Sequence, residues 1–187
     1  MRRDAERVFD EYLAAAAQAG DRRSFDRLAK RWGPKLLAHA WRLTGDHEVA
    51  RDVAQESWCD IAKALPGLND VVTFPAWAYR IVTRRAADSV RRSVRERKGM
   101  VEFSAEPTVT AQMTTAMEAK ADARPLNRAM AGLPMEQRAA IALHYAEGFS
   151  VAEIAVALSV PAGTVKTRLM HARRKLREAL EGGNDDE

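Results

Sequence analysis

Residues 150–169 read SVAEIAVALSVPAGTVKTRL, and this stretch decides the architecture of the C-terminal part of the chain. Ser150 and Glu153 match the S-x-x-E capping box, which satisfies the orphan N–H groups at a helix start. Val151, Ile154, Ala155 and Leu158 recur three and four residues apart and mark one buried face, with Ala155 small enough for a close helix crossing. Pro161 is the residue type favoured at a first helical position. Val165, Leu169, Ala172, Leu176 and Leu180 then fall in a narrow apolar stripe. Two short helices joined by a tight turn make a helix-turn-helix, a shape that enters DNA grooves.

The charges on the second of these helices carry the reading further. At about 100° per residue, the face opposite the stripe holds Gly163, Thr167, Met170, His171 and Arg174, flanked by Lys166, Arg173 and Arg177. Its first turns present Lys166, Thr167, Met170 and His171 to a groove, and the later arginines lie near phosphates. The plain alternative is an antiparallel helix pair with a solvated face. A solvated face mixes signs, however, whereas Lys166, Arg168, Arg173, Arg174, Lys175 and Arg177 follow one another with no acid among them.

Outward from this motif, strand signals are nearly absent and apolar residues recur at helical spacing, so the fold class is all-α. Helices are expected over about 4–19, 24–44, 47–65, 75–97, 126–132 and 135–147, besides the pair already described. Gly33 and Pro34 should kink or interrupt the second, Gly45 fits the position just past its end, and Asp46 caps the third. Around Gly99 the clean period is lost. The expected organisation is therefore two small helical domains, an N-terminal bundle over 1–98 and a helix-turn-helix domain over 125–181. A flexible linker over 99–124 joins them, and a disordered tail covers 182–187.

The single cysteine, Cys59, forms no internal disulfide and leaves no CxxC spacing for zinc. The histidines His39, His47, His144 and His171 are scattered, and there is no glycine-rich phosphate loop, so neither an enzyme nor a cofactor or metal is expected. No apolar run approaches the roughly 18 residues of a membrane span. The opening MRRDAERVFDEYL lacks the apolar core of a signal peptide, which points to the cytoplasm.

Two helices of the first domain carry chemistry of their own. HEVARDVAQESWCDIAKAL puts Asp52, Gln55, Glu56 and Cys59 on one polar face, either solvated or a docking surface for a partner. PAWAYRIVTRRAADSVRRSVRER turns Trp77, Ala78, Ile81 and Val82 inward and leaves Arg80, Arg84, Arg91, Arg92 and Arg95 largely outside. Arginine at this density neutralises phosphates and stacks on bases.

In order, RDVAQESW, FPAWAYRIVTRRAADSVRR and LPMEQRAAIALHYAEGFSVAEIAVALSVPAGTVKTRLMHARRKLREAL resemble the extracytoplasmic-function sigma factors, the two-domain promoter-specificity subunits of bacterial RNA polymerase. The resemblance covers about 21–98 and 130–180. It implies that Asp52, Gln55 and Glu56 dock on the clamp helices of the largest polymerase subunit. It also implies that the loop around Leu68, Asn69 and Asp70 captures a base flipped from the −10 strand, and that Arg80, Arg84 and Arg91 track that strand. Lys166, Thr167, Arg168, Met170, His171 and Arg174 then read −35 DNA. The implied partners are core polymerase, including its flap, promoter DNA, and an anti-sigma factor. Small-molecule substrates and membrane insertion are not implied.

Two positions depart from the family pattern. Arg84 stands where asparagine is common, and His171 where arginine is common, which changes the contacts on offer at each reading position. If the two promoter elements lie about two helical turns apart, the span is on the order of 70 Å. Some 25 residues of linker reach roughly 80 Å extended but only about 30 Å as a relaxed coil. The polymerase must then set the spacing, with Glu102, Glu106, Glu118 and Asp122 of the linker either solvated or standing in for template phosphates. The alternatives are an autonomous helix-turn-helix regulator and a sigma mimic that titrates an anti-sigma factor. RDVAQESW beside a second basic helix speaks against the first, and the basic faces speak against the second.

Overall fold

The computed structural model describes residues 2–101 and 123–181. The linker expected over 99–124, with its acids Glu102, Glu106, Glu118 and Asp122, lies almost wholly outside the described residues, as does the tail 182–187. Among the described residues the regular structure is entirely helical: α1 (Arg2–Gln18), α2 (Arg22–Thr44), α3 (His47–Ala64), α4 (Phe74–Val101), α5 (Ala123–Ala131), α6 (Met135–Ile141), α7 (Val151–Leu158) and α8 (Ala162–Glu181).

The local signals set the boundaries. Asp21 accepts from the Arg23 N–H at 3.0 Å to start α2, and Asp46 accepts from the Glu48 and Val49 N–H groups to start α3. Gly45 ends α2 in the left-handed conformation, φ 73°, with its N–H on the Trp41 carbonyl at 2.8 Å. Of the kink or interruption expected at Gly33 and Pro34, the interruption does not occur, and α2 runs unbroken through Pro34. Pro34 is exposed, so the carbonyl left without an N–H partner faces the solvent side while Trp32 and Leu36 hold the helix to the core. α6 is shorter than the expected helix 135–147: residues Ala142–Ala146 form a wider π turn, and Gly148, φ 71°, reverses the chain.

The first four helices pack around Leu13, Leu28, Trp32, Leu36, Ala40, Ile61, Phe74, Tyr79 and Val82, each 5% exposed or less. Burying a side chain of this size contributes about 1.5–3 kcal/mol. Trp32 meets Phe74 and Tyr79 edge to face, with centroids 5.7 and 6.0 Å apart. In the C-terminal unit Ala140, Leu143, Ile154, Ala157, Val165, Leu169 and Ala172 form the interior. Leu180, expected in the same stripe, is 38% exposed and instead lines a groove of about 340 Å³ between α5 and α8 with Arg128 and Lys175.

The two helical units do not stand apart: their buried side chains form one continuous cluster, with α7 packed on α4. Tyr79 of α4 meets Phe149 edge to face at 5.3 Å. Arg138 of α6 donates to the Arg42 and Leu43 carbonyls at the end of α2, at 3.2 and 3.5 Å, and to the Ala131 and Leu133 carbonyls of its own unit. Those α2 carbonyls belong to its last turn, where helix carbonyls lack internal partners. Arg42 also pairs with Glu147 at 3.3 Å, and Arg7 of α1 pairs with Glu153.

Candidate nucleic-acid interface

Helix α8 is positioned by the turn that precedes it. Ser150 and Glu153 form the complete capping box of α7, with the Ser150 N–H donating to the Glu153 carboxylate at 2.8 Å. Burial works against the charge on Glu153, but hydrogen bonds from Ser150 and the Arg7 guanidinium hold its carboxyl below the ordinary pKa. Ser159 takes the left-handed conformation, φ 53°, and closes α7, with the Val160 N–H on the Ala155 carbonyl at 3.1 Å. Pro161 sits one residue ahead of α8, and its carbonyl accepts the first helical bond, from Val165 at 3.2 Å.

With Val165, Leu169 and Ala172 buried, the other face of α8 is necessarily outside. Lys166, Thr167, Met170, Arg173, Arg174, Lys175 and Arg177 are exposed, and Arg168 and His171 are half-buried. The Thr167 hydroxyl donates back to the Gly163 carbonyl at 3.1 Å, which leaves its oxygen free to accept. Arg173 lies over the Tyr145 ring at 5.8 Å, and Arg174 has only an exposed contact with Glu178 at 3.7 Å, so neither cation is neutralised by a buried partner. Of the residues expected at −35 DNA, Lys166, Thr167, Met170 and Arg174 are exposed together, while His171 and Arg168 are half-buried, Arg168 beside the apolar stripe.

α4 divides its arginines. Arg80 and Arg84 are exposed and have no ion-pair or hydrogen-bond partner among the described residues; Arg91 pairs with Asp88 at the surface. Arg85, between them, is committed elsewhere: it binds Asp60 at 2.6 Å and Glu56 at 2.9 Å on α3, and the hydrogen bond to Asp60 raises its pKa further above the ordinary value. On α3 itself Asp52, Gln55 and Glu56 lie on one exposed face, with Glu56 tied to Arg85 and the other two unpartnered among the described residues. Cys59 is exposed on the same helix.

The loop between α3 and α4 is two short 3-10 turns, Leu65–Gly67 and Val71–Thr73. Leu68 is half-buried and packs on the core. Asp70 uses its carboxylate to cap the Val72 N–H at 3.0 Å, while its carbonyl accepts from the Thr73 hydroxyl at 2.6 Å. Of the three loop residues named from the sequence, Asn69 alone presents an uncommitted side chain.

Several residues that shape these surfaces were not singled out in the sequence. His39 is wholly buried beside Tyr79, with Nε2 3.0 Å from the Thr83 hydroxyl and Nδ1 unpartnered. Burial, and secondarily Arg42, lowers its pKa from 6.5 to about 3. The buried Tyr79 hydroxyl lies beside the Glu147 carboxylate without a well-formed hydrogen bond to it, and burial first, then that carboxylate, push its pKa far above that of a free phenol. Burial lowers the pKa of Arg138. Among the described residues no group of His, Cys, Asp and Glu is arranged to hold a metal ion, and no helix is long and apolar enough to cross a membrane.

Two family models match the chain, sigma-70 region 2 over residues 28–96 and sigma-70 region 4 over residues 123–176. The chain is 30% identical to the RNA polymerase sigma-H factor of Pseudomonas aeruginosa, across 92% of this chain and 94% of that protein. It is 32% identical to the ECF RNA polymerase sigma factor SigM of Mycobacterium tuberculosis, across 91% of this chain and 84% of that protein. CnrH, solved in complex with the cytosolic domain of CnrY, superposes with a TM-score of 0.68 at 25% identity, covering 93% of this chain and 98% of that one. The sigma factor RpoE of Bartonella quintana, solved with the anti-sigma factor NepR, gives a TM-score of 0.67 at 25% identity, covering 84% and 96%.

Proposed function

The chain belongs to the extracytoplasmic-function sigma factors of the sigma-70 family, and we propose how its surfaces divide the work of promoter recognition. Residues 1–98 dock on core polymerase and engage the −10 element, residues 125–181 read −35 DNA, and 99–124 connects them. Asp52, Gln55 and Glu56 meet the clamp helices of the largest subunit, and the C-terminal unit meets the flap. Arg80, Arg84 and Arg91 follow the −10 strand, and Asn69, between Leu68 and Asp70, faces its flipped base. Lys166, Thr167, Arg168, Met170, His171 and Arg174 form the −35 surface. The protein supplies specificity and strand capture in the cytoplasm, and the polymerase supplies the chemistry.

The observation that carries this reading is the coexistence of an exposed basic face on α8, with no acid between Lys166 and Arg177, and the unpartnered Arg80 and Arg84 on α4. One helix-turn-helix buries too little surface for tight DNA binding alone, whereas two modules on one scaffold make the second contact intramolecular. The closed packing bears on this directly. α7 lies on α4 and α8 on α7, so the two DNA faces are separated by about two helix spacings, roughly 20 Å. Elements about two turns apart on DNA need on the order of 70 Å. The closed form is therefore a resting arrangement that must part when both elements are read. A protein that clasps the closed form would hold the factor inactive, and both structural relatives were solved bound to another protein, one of them an anti-sigma factor.

The test is capture of bacterial core polymerase by the wild type and by Asp52→Arg, followed by run-off transcription on a genomic library. Wild-type capture, its loss in the variant, and transcripts dependent on the chain are expected. Failure of the wild type to bind core enzyme sinks the reading and leaves an autonomous DNA-binding regulator.

A further inference from the structure

We infer that Gln18, the last residue of α1, is a positioning residue for the single-stranded base site at Asn69. The inference rests on the reading of residues 68–70 as the −10 loop. α1 is held rigidly, with Leu13 and Ala14 wholly buried and the helix packed on α2 and on both 3-10 turns of the loop. From its end the half-buried Gln18 side chain donates across to the loop. Its Nε2 lies 2.5 Å from the Leu68 carbonyl and 3.4 Å from the Leu65 carbonyl. These bonds join residues 50 and 47 positions apart, so no local turn geometry supplies them.

The consequence runs through one peptide plane. The carbonyl of Leu68 and the N–H of Asn69 belong to the same planar trans unit and point in opposite directions. Pinning the Leu68 oxygen toward α1 therefore aims the Asn69 N–H away from α1. That N–H has no partner among the described residues. On the other side, Asp70 is fixed by its own cap to Val72 and by Thr73. Asn69 is thus held between two anchored neighbours, with an N–H donor, a side-chain amide donor and a side-chain carbonyl acceptor all unengaged. This is the mixture of donors and acceptors needed to read the edge of an unpaired base. Asp70 supplies one anchor from within the loop, and Gln18 supplies the other from a helix that precedes the matched region 28–96.

Of the two informative variants, Gln18→Glu keeps the length of the side chain and Gln18→Lys adds one atom, and they change its hydrogen bonding in opposite ways. Gln18→Glu cannot donate and sets a carboxylate against two carbonyls; Gln18→Lys keeps a donor within reach. Each is assembled with core polymerase and tested on single-stranded −10 oligonucleotides from a promoter recovered by run-off transcription. An abasic site is walked through every position. Wild-type holoenzyme should lose about tenfold in affinity at one position, the size of a single base contact. Gln18→Glu should shrink that discrimination by about threefold to tenfold, and Gln18→Lys should retain most of it. Affinities for core enzyme and for duplex −35 DNA should not change in either variant. Full discrimination by Gln18→Glu overturns the inference, as does a loss of core affinity, which would make Gln18 a general stabiliser. If wild type discriminates at no position, the −10 reading of the loop itself falls.

Discussion

The contact between Tyr79 and Phe149 joins the two units, and its removal should open the protein without unfolding it. Phe149 is 8% exposed and meets Tyr79, 0% exposed, edge to face at 5.3 Å. Replacing a buried Phe by Ala costs about 3–5 kcal/mol, part of it borne by the residue's own unit. The ring pair adds about 1 kcal/mol beyond the area buried, so about 2–3 kcal/mol falls on closure, which shifts the closed-to-open ratio roughly 30- to 150-fold. The same site provides a change of opposite sign. The Tyr79 hydroxyl is buried beside the Glu147 carboxylate without a well-formed hydrogen bond to it, a burden of about 1–3 kcal/mol on the closed form that opening to water relieves. Tyr79→Phe should therefore favour closure. Cys59 is the only cysteine and is exposed on α3, so one dye goes there and the second on Glu178→Cys of the exposed side of α8. Energy transfer followed against urea, with helicity read in parallel, should lose its signal at lower urea in Phe149→Ala and at higher urea in Tyr79→Phe. Two folded variants with the wild-type midpoint, or earlier opening in Tyr79→Phe, refute the assignment of closure to this contact.

His39 makes a pH prediction. Its pKa falls from 6.5 in the unfolded chain to about 3 in the fold, so between those values the unfolded chain binds a proton that the fold refuses. Stability should drop as pH falls below about 6.5, at up to about 1.4 kcal/mol per pH unit. His39→Gln, which still reaches Thr83, should lose that part of the slope in urea titrations from pH 7 to 4. An identical slope in the variant excludes His39 as the source. At the proposed −35 surface, His171→Arg installs a guanidinium able to contact guanine bidentately and should strengthen binding to a guanine-bearing site by about tenfold. Selection of duplex DNA on both proteins checks this, and an unchanged preferred sequence shows that position 171 does not read bases.

What the sequence made legible was whatever acts over a few residues. The helical periods, the caps at Asp46 and Ser150 and the stop at Gly45 are short-range devices, and each lies where the pattern places it. The surfaces of α3 and α8 followed because an apolar stripe on a helix fixes its opposite face. The failures share one cause. Gly33 and Pro34 read as a kink or a break, and α2 continues without the break, because flanking core contacts outweigh one missing hydrogen bond on the exposed side. Gln18 carries no mark in the sequence, because its partner, the Leu68 carbonyl, lies 50 residues later. Nothing around Arg138 in the sequence marks it, because two of its four carbonyl partners lie 96 and 95 residues earlier.

Arginine shows why the residue type alone does not assign such a role. Arg84 and Arg85 are neighbours on α4, about 100° apart around the axis. That rotation leaves Arg84 in the solvent and brings Arg85 within 2.6 Å of Asp60 and 2.9 Å of Glu56. Arg85 commits its charge to holding α3 against α4, which keeps the Glu56 carboxylate in place on the face that carries Asp52 and Gln55. Arg84 keeps its charge for a phosphate or a base. A basic helix thus spends some cations on the scaffold and offers the rest. The division is set by which turn faces a neighbouring carboxylate, a fact of packing that no count of charges along the chain contains.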